Sequence, residues 1–231
     1  MRLPDRLFVG VPAQLSDEHA PDADHLEIGG YAQLPSAKEL AAFAGRDRSL
    51  TMLGWHVLTH KRSDPRYERM SAPPPTHAAV GHFERSRWTD EAWDELDDLA
   101  RATDVMAVVF QTPATFKAGD EHATRLENFV AHGMRPGLAI AWEWAPRAWP
   151  AARALALCDR IGAIPVIDPT EQAIPDGELV YLRFRGGRNG RKVLKDDDLK
   201  AVALEARDRI GWAVFSNATA AVDAERFSQM I

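Results

Sequence analysis

Eight polar side chains stand at or near the ends of short apolar runs: Glu27, His56, Gln111, Glu143, Asp168, Arg183, Arg185 and Asn217. Two carboxyls in different surroundings can divide acid–base work, one keeping a proton while the other stays ionised. Glu143 and Asp168 are candidates for such a pair, which suits hydrolysis, and Glu27 adds a third candidate catalytic carboxylate. If Glu143 and Asp168 sit on neighbouring strands, ~4.8 Å apart, their charges repel. A shared proton, a cation or an internal Asp168–Arg183 pair would relieve that repulsion. A divalent metal held by the carboxylates with His56 is a further option. Of the eight histidines, only His56 and His60 form a close pair at a strand end.

A second chemistry belongs to the run Arg183-Phe-Arg-Gly-Gly-Arg-Asn-Gly-Arg-Lys192. Glycine lets backbone N–H groups approach an anion closely, and arginine binds carboxylate or phosphate in a planar fork. Gly186, Gly187 and Gly190 would supply that backbone, and Arg185, Arg188 and Arg191 the charge, with Arg183 behind them and Gln111 and Asn217 orienting the ligand. The structural alternative is a solvated basic turn. A nucleic-acid role for the same loop is also open, and it requires binding that weakens steeply with salt. No Gly-x-Ser-x-Gly elbow, P-loop or dinucleotide fingerprint is present, which sets aside serine-nucleophile and nicotinamide chemistry.

The elements that must position these residues are eight apolar runs: Leu7–Val11, His25–Ile28, Ser49–His56, Val105–Gln111, Gly137–Trp144, Ile164–Asp168, Leu179–Arg185 and Trp212–Asn217. Helical signals separate them. Ser36 with Glu39 makes a capping box ahead of Leu40 and Phe43. Trp93, Leu96 and Ala100 have the spacing of one helix face, as do Leu126, Phe129 and Val130, then Ala151, Leu155 and Cys158. Leu199, Val202, Ala206 and Ile210 give the clearest stripe, so Asp196–Ile210 should cover the last two strands. Alternation puts Glu143, Ala141 and Ala139 inward and Leu138, Ile140 and Trp142 outward. It places Arg183 and Tyr181 inside, and on the last strand Asn217, Phe215 and Ala213 inside with Trp212 and Val214 outside. These signs predict a single-domain α/β protein over residues 1–231, a (β/α)8 TIM-like barrel with its working residues at the C-terminal strand ends. The irregular stretch 61–88, with Pro73-Pro74-Pro75, reads as a lid or a disordered loop.

The 231 residues carry 28 Lys plus Arg against 34 Asp plus Glu, a formal net charge of −6, which argues against wholesale coating of nucleic acid or an anionic membrane. One cysteine, Cys158, leaves no intramolecular disulfide, as expected in a reducing compartment. The opening Met1-Arg-Leu-Pro-Asp lacks the apolar segment of a secretory signal, and no run has the ~20 apolar residues of a membrane span. A cytoplasmic protein away from membranes is expected. Nothing in the sequence sets its oligomeric state.

Several strand ends together resemble the YecE-like family, the barrel proteins of domain of unknown function 72 (DUF72). Leu26-Glu-Ile with Leu34-Pro35 is similar to that family's strand-two acidic motif, Thr59-His60 to its Thr-His, and Phe110-Gln-Thr-Pro113 to its Phe-Gln-x-Pro. Trp142-Glu-Trp with Trp149, then Asp168, Tyr181-Leu-Arg183 with Gly186, and Phe215-Ser-Asn217 resemble its later motifs. This chain departs from the family where Ala145-Pro146 replaces Arg-His, Arg185 replaces a histidine, and Val11-Pro-Ala-Gln replaces Gly-Trp; the strand-three lysine is missing. The resemblance implies a divergent member with a barrel fold and these strand-end residues as its site. It implies no particular reaction. The reading is therefore of a barrel that binds a phosphate-bearing or other anionic small molecule, either as a hydrolase or as a non-catalytic binding barrel.

Overall fold

The computed structural model describes residues 4–14, 21–45, 47–133, 138–187 and 189–231. The apolar runs form eight strands: β1 (Leu7–Gln14), β2 (His25–Gly29), β3 (Ser49–Leu53), β4 (Ala107–Gln111), β5 (Ala139–Glu143), β6 (Ile164–Ile167), β7 (Leu179–Phe184) and β8 (Ile210–Phe215). Each pairs in parallel with the next, and β8 returns to β1 to close the barrel. The helices outside are α1 (Ala37–Ala41), α2 (His56–Thr59), α3 (Arg87–Ala102), α4 (Asp120–Gly133), α5 (Ala151–Ile161), α6 (Asp196–Ala206) and α7 (Ala220–Ser228). The β6–β7 link, residues 168–178, contains no helix.

Local chemistry sets the helix ends. Ser36 and Glu39 form the capping box of α1, and Ser86 with Thr89 forms a second at α3, satisfying amides that have no partner inside the helix. Gly162, with φ +69°, closes α5 in the left-handed conformation that glycine adopts without steric cost.

Two apolar layers fill the fold. Outside the strands, Val108, Phe110, Ile140, Trp142, Leu182 and Phe184 pack in the large cluster shared with the helices. Inside are Ala107, Val109, Ala139, Ala141, Ile164, Val166, Tyr181, Trp212 and Val214. Strand β5 therefore alternates as its sequence predicts. Strand β8 does not: Trp212 and Val214 face inward, while Ala213 and Phe215 belong to the outer layer. The register explains the correction, because Tyr181 lies beside Trp212 and Arg183 beside Val214, and neighbours in a parallel ladder share a face. Small Ala107, Ala139 and Ala141 on the opposite wall leave the space that Trp212 fills, so bulk alone was a poor guide to facing. Phe215 instead stacks on Phe184 with ring centroids 4.1 Å apart, and Phe227 of α7 lies 5.5 Å away.

His56 also lies elsewhere than its apolar run suggested. Strand β3 ends at Leu53, and His56 opens α2 rather than capping a strand. At Gly54 a Cβ would come within 2.3 Å of the Phe110 ring, so the backbone passes tightly against β4 before turning. Residues 61–88 are packed against this corner. They include a 3-10 turn, Pro65–Arg69, capped by Asp64, and Tyr67, whose buried hydroxyl donates to the His60 carbonyl at 2.8 Å. Gly81, His82 and Phe83 follow one another in the left-handed region at φ +73°, +56° and +51°. Their N–H groups donate to the carbonyls of Val57, Thr59 and Leu58.

Gly211 tests the closure of the barrel. Its φ is +132°, and a Cβ there would sit 1.9 Å from the Val180 carbonyl oxygen. Gly211→Ala is expected to cost at least ~1–3 kcal/mol from the backbone conformation alone, before the clash is counted. A urea unfolding midpoint equal to the wild type's would contradict this packing.

Candidate functional site

Inside the C-terminal half of the barrel, Arg183 on β7 lies between Glu27 on β2 and Glu143 on β5. Its Nη1 donates to Glu27 Oε1 at 2.7 Å, and its Nη2 donates to Glu27 Oε2. Its Nε lies 3.0 Å from Glu143 Oε2, an ion-pair distance without hydrogen-bond alignment. Glu143 is also held by Gln111 Nε2 at 2.8 Å and by Arg185 through Nε at 3.0 Å and Nη2 at 2.6 Å. Tyr181 donates to Glu27, and its hydroxyl lies 3.0 Å from Thr51 Oγ1. Below Thr51, His25 Nδ1 lies 3.1 Å from the Ser49 carbonyl. A carbonyl only accepts, so that nitrogen carries the proton.

The charges follow from these contacts. Burial alone would raise the Glu143 pKa, but Arg183, Arg185 and the Gln111 hydrogen bond hold it below the usual carboxylate range. Burial opposes the charge of Arg183 too, and the carboxylates of Glu143 and Glu27 override it and raise its pKa. Two carboxylates thus share one buried guanidinium and one partly exposed one, and Glu143 is ionised at neutral pH.

Asp168 is not part of this group. The β5–β6 register sets Ala141 beside Ile164, which leaves Asp168 beyond the level of Glu143. Its fully buried carboxylate accepts from Thr170 N at 3.1 Å, Thr170 Oγ1 at 2.8 Å and Arg185 N at 3.1 Å. The expected Asp168–Arg183 pair is replaced by the pairs of Arg183 with Glu27 and Glu143, and Asp168 ties the end of β6 to the residue after β7. Asn217 is likewise a structural tie, donating to Thr219 Oγ1 at 3.0 Å and Asp223 Oδ2 at 2.7 Å at the start of α7. Gly186 lies against it, where a Cβ would approach the Asn217 Cβ to 2.6 Å. Gly186, Gly187 and Gly190 all have positive φ; Arg188 lies outside the described residues.

Two cavities open at this end of the barrel. The first, about 390 Å³, is lined by Tyr31, His56, His60, Asp64, Arg66, Arg69, Gln111 and Thr112, among others. The second, about 290 Å³, shares Gln111 and Thr112 and adds Glu143, Trp144, Glu171, Arg185 and Gly187. Sequence reasoning reached His56, Gln111, Glu143, Arg185 and Gly187 but passed over Asp64, Arg66 and Arg69. An Asp-Pro step opening a short helical turn was the available signal. In the first cavity Arg66 Nη1 donates to both oxygens of Asp64 at 3.0 Å, whereas Arg69 meets no carboxylate among the described residues. His56 Nε2 is buried without a hydrogen-bond partner. Burial and the nearby Arg66 charge lower the pKa values of His56 and His60 to about 4, so both rings are neutral at pH 7. Among the described residues no three metal-binding side chains come together, and no helix is long and apolar enough to cross a membrane.

No protein-family model and no curated protein matches the sequence. Solved structures do match the fold. A DUF72 family protein from Enterococcus faecalis superposes with a TM-score of 0.65 at 14% identity, covering 97% of this chain and 94% of the other. One from Thermotoga maritima gives 0.62 at 16% identity over 90% and 84%. The fold is that of the DUF72 barrels. A D-psicose 3-epimerase, determined in the presence of D-fructose, shares the barrel at a TM-score of 0.54 and 10% identity, over 95% of this chain and 90% of the other. In this DUF72-type barrel, Glu27, Gln111, Glu143 and Arg183, all from motifs that resemble the family's, meet in one network.

Two outcomes follow. Removing one partner of a buried ion pair costs ~3–5 kcal/mol, so Arg183→Met should lower unfolding free energy by about that much, and adding Glu27→Gln should restore part of it. A loss in the double variant equal to the sum of the losses in Arg183→Met and Glu27→Gln would show that the pair is not coupled. Second, His25 is lowered to about 3 and His56, His60 and His82 to about 4, burial being the largest cause in each, from a usual 6.5. The unfolded chain then binds more protons between pH 6.5 and 4, so stability must fall as pH drops through that window. A melting temperature unchanged from pH 7 to pH 5 would contradict neutral burial of these rings.

Proposed function

We propose that this chain binds a small anionic molecule, carrying a phosphate or carboxylate, at the C-terminal mouth of its barrel. The observation that carries the reading is the cavity of about 390 Å³ in which the exposed Arg69 meets no carboxylate among the described residues. Arg66 and Asp64 offset one another, so Arg69 leaves the cavity with a net positive charge. A charge-assisted hydrogen bond from a guanidinium is the strong kind.

The same geometry favours binding over hydrolysis. An acid–base pair needs two carboxyls with separated proton affinities. Glu143 is instead an ionised member of the Arg183–Arg185 network, and the Asp168 carboxylate takes three protein donors in a loop tie. Arg183 acts indirectly in this reading, because it is 4% exposed and both its carboxylates are in place. Its role is to neutralise the floor so that an anion is not repelled. Arg185 and Gly187 face the adjoining cavity and extend the clamp. Cys158 is buried with its thiol pushed up to about 12, which suits an inert core residue.

Thermal unfolding with inorganic phosphate, citrate and a short oligonucleotide tests this reading. An anion at ~100 times its dissociation constant stabilises by ~2.7 kcal/mol, which at ~2–4 °C per kcal/mol for a domain of this size is a rise of roughly 5–11 °C. The shift should vanish in Arg69→Ala. Equal shifts in wild type and variant, or none in either, would place no anion site in this cavity. Oligonucleotide binding that collapses with salt and survives Arg69→Ala would move the function to the basic loop.

A further inference from the structure

We infer that the ligand is a polyhydroxylated anion, a sugar phosphate or sugar acid, whose anionic group sits by Arg69 and whose hydroxyls are read in the adjoining cavity. The inference rests on the proposed anion site and adds the class of molecule attached to the anion. Three observations support it. The first is size: cavities of about 390 and 290 Å³ share Gln111 and Thr112 as a common wall, and pockets of ~300–1,000 Å³ hold whole small molecules, far more than an inorganic anion fills.

The second is donor and acceptor balance. A hydroxyl both donates and accepts, so a site that reads hydroxyls needs both kinds of group side by side. In the smaller cavity the exposed Glu171 accepts, while Arg185, which directs only its Nε and Nη2 at Glu143, donates. Gln111 spends its amide nitrogen on Glu143, which leaves its carbonyl oxygen to accept. Two arginines and Gln111 occupy both oxygens of Glu143, so it fixes the orientation of Arg185 and Gln111 in this cavity rather than acting as a proton store. A second phosphate is disfavoured here, because Glu171 carries a charge that no arginine among the described residues offsets.

The third is an apolar face. The exposed Pro146 and half-buried Ala145, backed by the buried Trp144, line the same cavity and offer an apolar edge for the C–H side of a sugar ring, as amphipathic ligands require. The two halves thus differ as the two ends of a sugar phosphate differ: one has a cation with no carboxylate among the described residues, the other mixed polar groups beside an apolar edge.

Isothermal titration of the purified chain with glucose 6-phosphate, inorganic phosphate and glucose, using wild type, Glu171→Ala, Trp144→Phe and Arg69→Ala, tests this. The expected result is glucose 6-phosphate binding at least tenfold tighter than phosphate. Glu171→Ala and Trp144→Phe should erase that advantage while leaving phosphate affinity unchanged, and Arg69→Ala should weaken both anions. Circular dichroism melts confirm that each variant is folded. If phosphate binds in an Arg69-dependent way and the sugar adds nothing, the hydroxyl subsite is overturned and the anion site stands. If neither anion depends on Arg69, the anion site itself fails, and this inference fails with it.

Discussion

One guanidinium organises this barrel. Arg183 spans the interior between Glu27 and Glu143, strands that the closed sheet sets well apart. Each carboxylate alone would be expensive to bury, and so would the arginine. Together with Tyr181, Gln111 and Arg185 they leave few of their hydrogen-bonding sites open. The electrostatics of the mouth follow. With both acids neutralised from below, the cavity above takes its charge from residues of the 61–88 stretch rather than from the barrel acids.

Below the ion network the interior changes character. Thr51, His25 and Ser49 continue the polar column toward the N-terminal end, and Trp212 closes it by donating to Ser49 Oγ at 2.8 Å. Alanines on β4 and β5 make room for the indole. A column of satisfied polar groups inside an apolar barrel is costly to leave half made, so the layers must assemble together. That is a reason for aromatic residues at both Tyr181 and Trp212: each combines bulk with one donor directed at a defined acceptor.

Much of this was legible in the sequence, and the gaps have physical causes. Strand number and the barrel follow from eight apolar runs separated by helical signals, and the inward set of β5 from alternation, because that pattern depends only on the two-residue period of a strand. Glu27, Gln111, Glu143 and Arg183 were readable as strand-end residues, but their pairing was not. Pairing depends on where side chains point as well as on register: the β6–β7 ladder sets Asp168 level with Arg183, yet the guanidinium reaches across the barrel to Glu27 and Glu143 while Asp168 accepts from Thr170 and the Arg185 amide. Strand β8 misled for a related reason: the side with more room is set by residues on other strands, here Ala107, Ala139 and Ala141. Arg66 and Arg69 escaped notice because their position comes from a single 3-10 turn, and one turn carries no periodicity. The contact of Gly186 with Asn217 was not readable, because a glycine-rich basic loop looks the same in sequence whatever its first glycine is seated against.

The left-handed run Gly81-His82-Phe83 ties the mouth to the outer surface. Position 81 is closed to any side chain, since a Cβ would lie 2.1 Å from the His60 carbonyl oxygen. Phe83, held at positive φ, places its ring among Phe110, Phe116 and Phe129, the nearest of them 4.8 Å away. The backbone that carries His56 and His60 is therefore anchored to an aromatic cluster on the far side of the strands. Repacking that cluster would reshape the cavity from behind, so the selectivity of this mouth is open to change by substitutions that never touch a ligand.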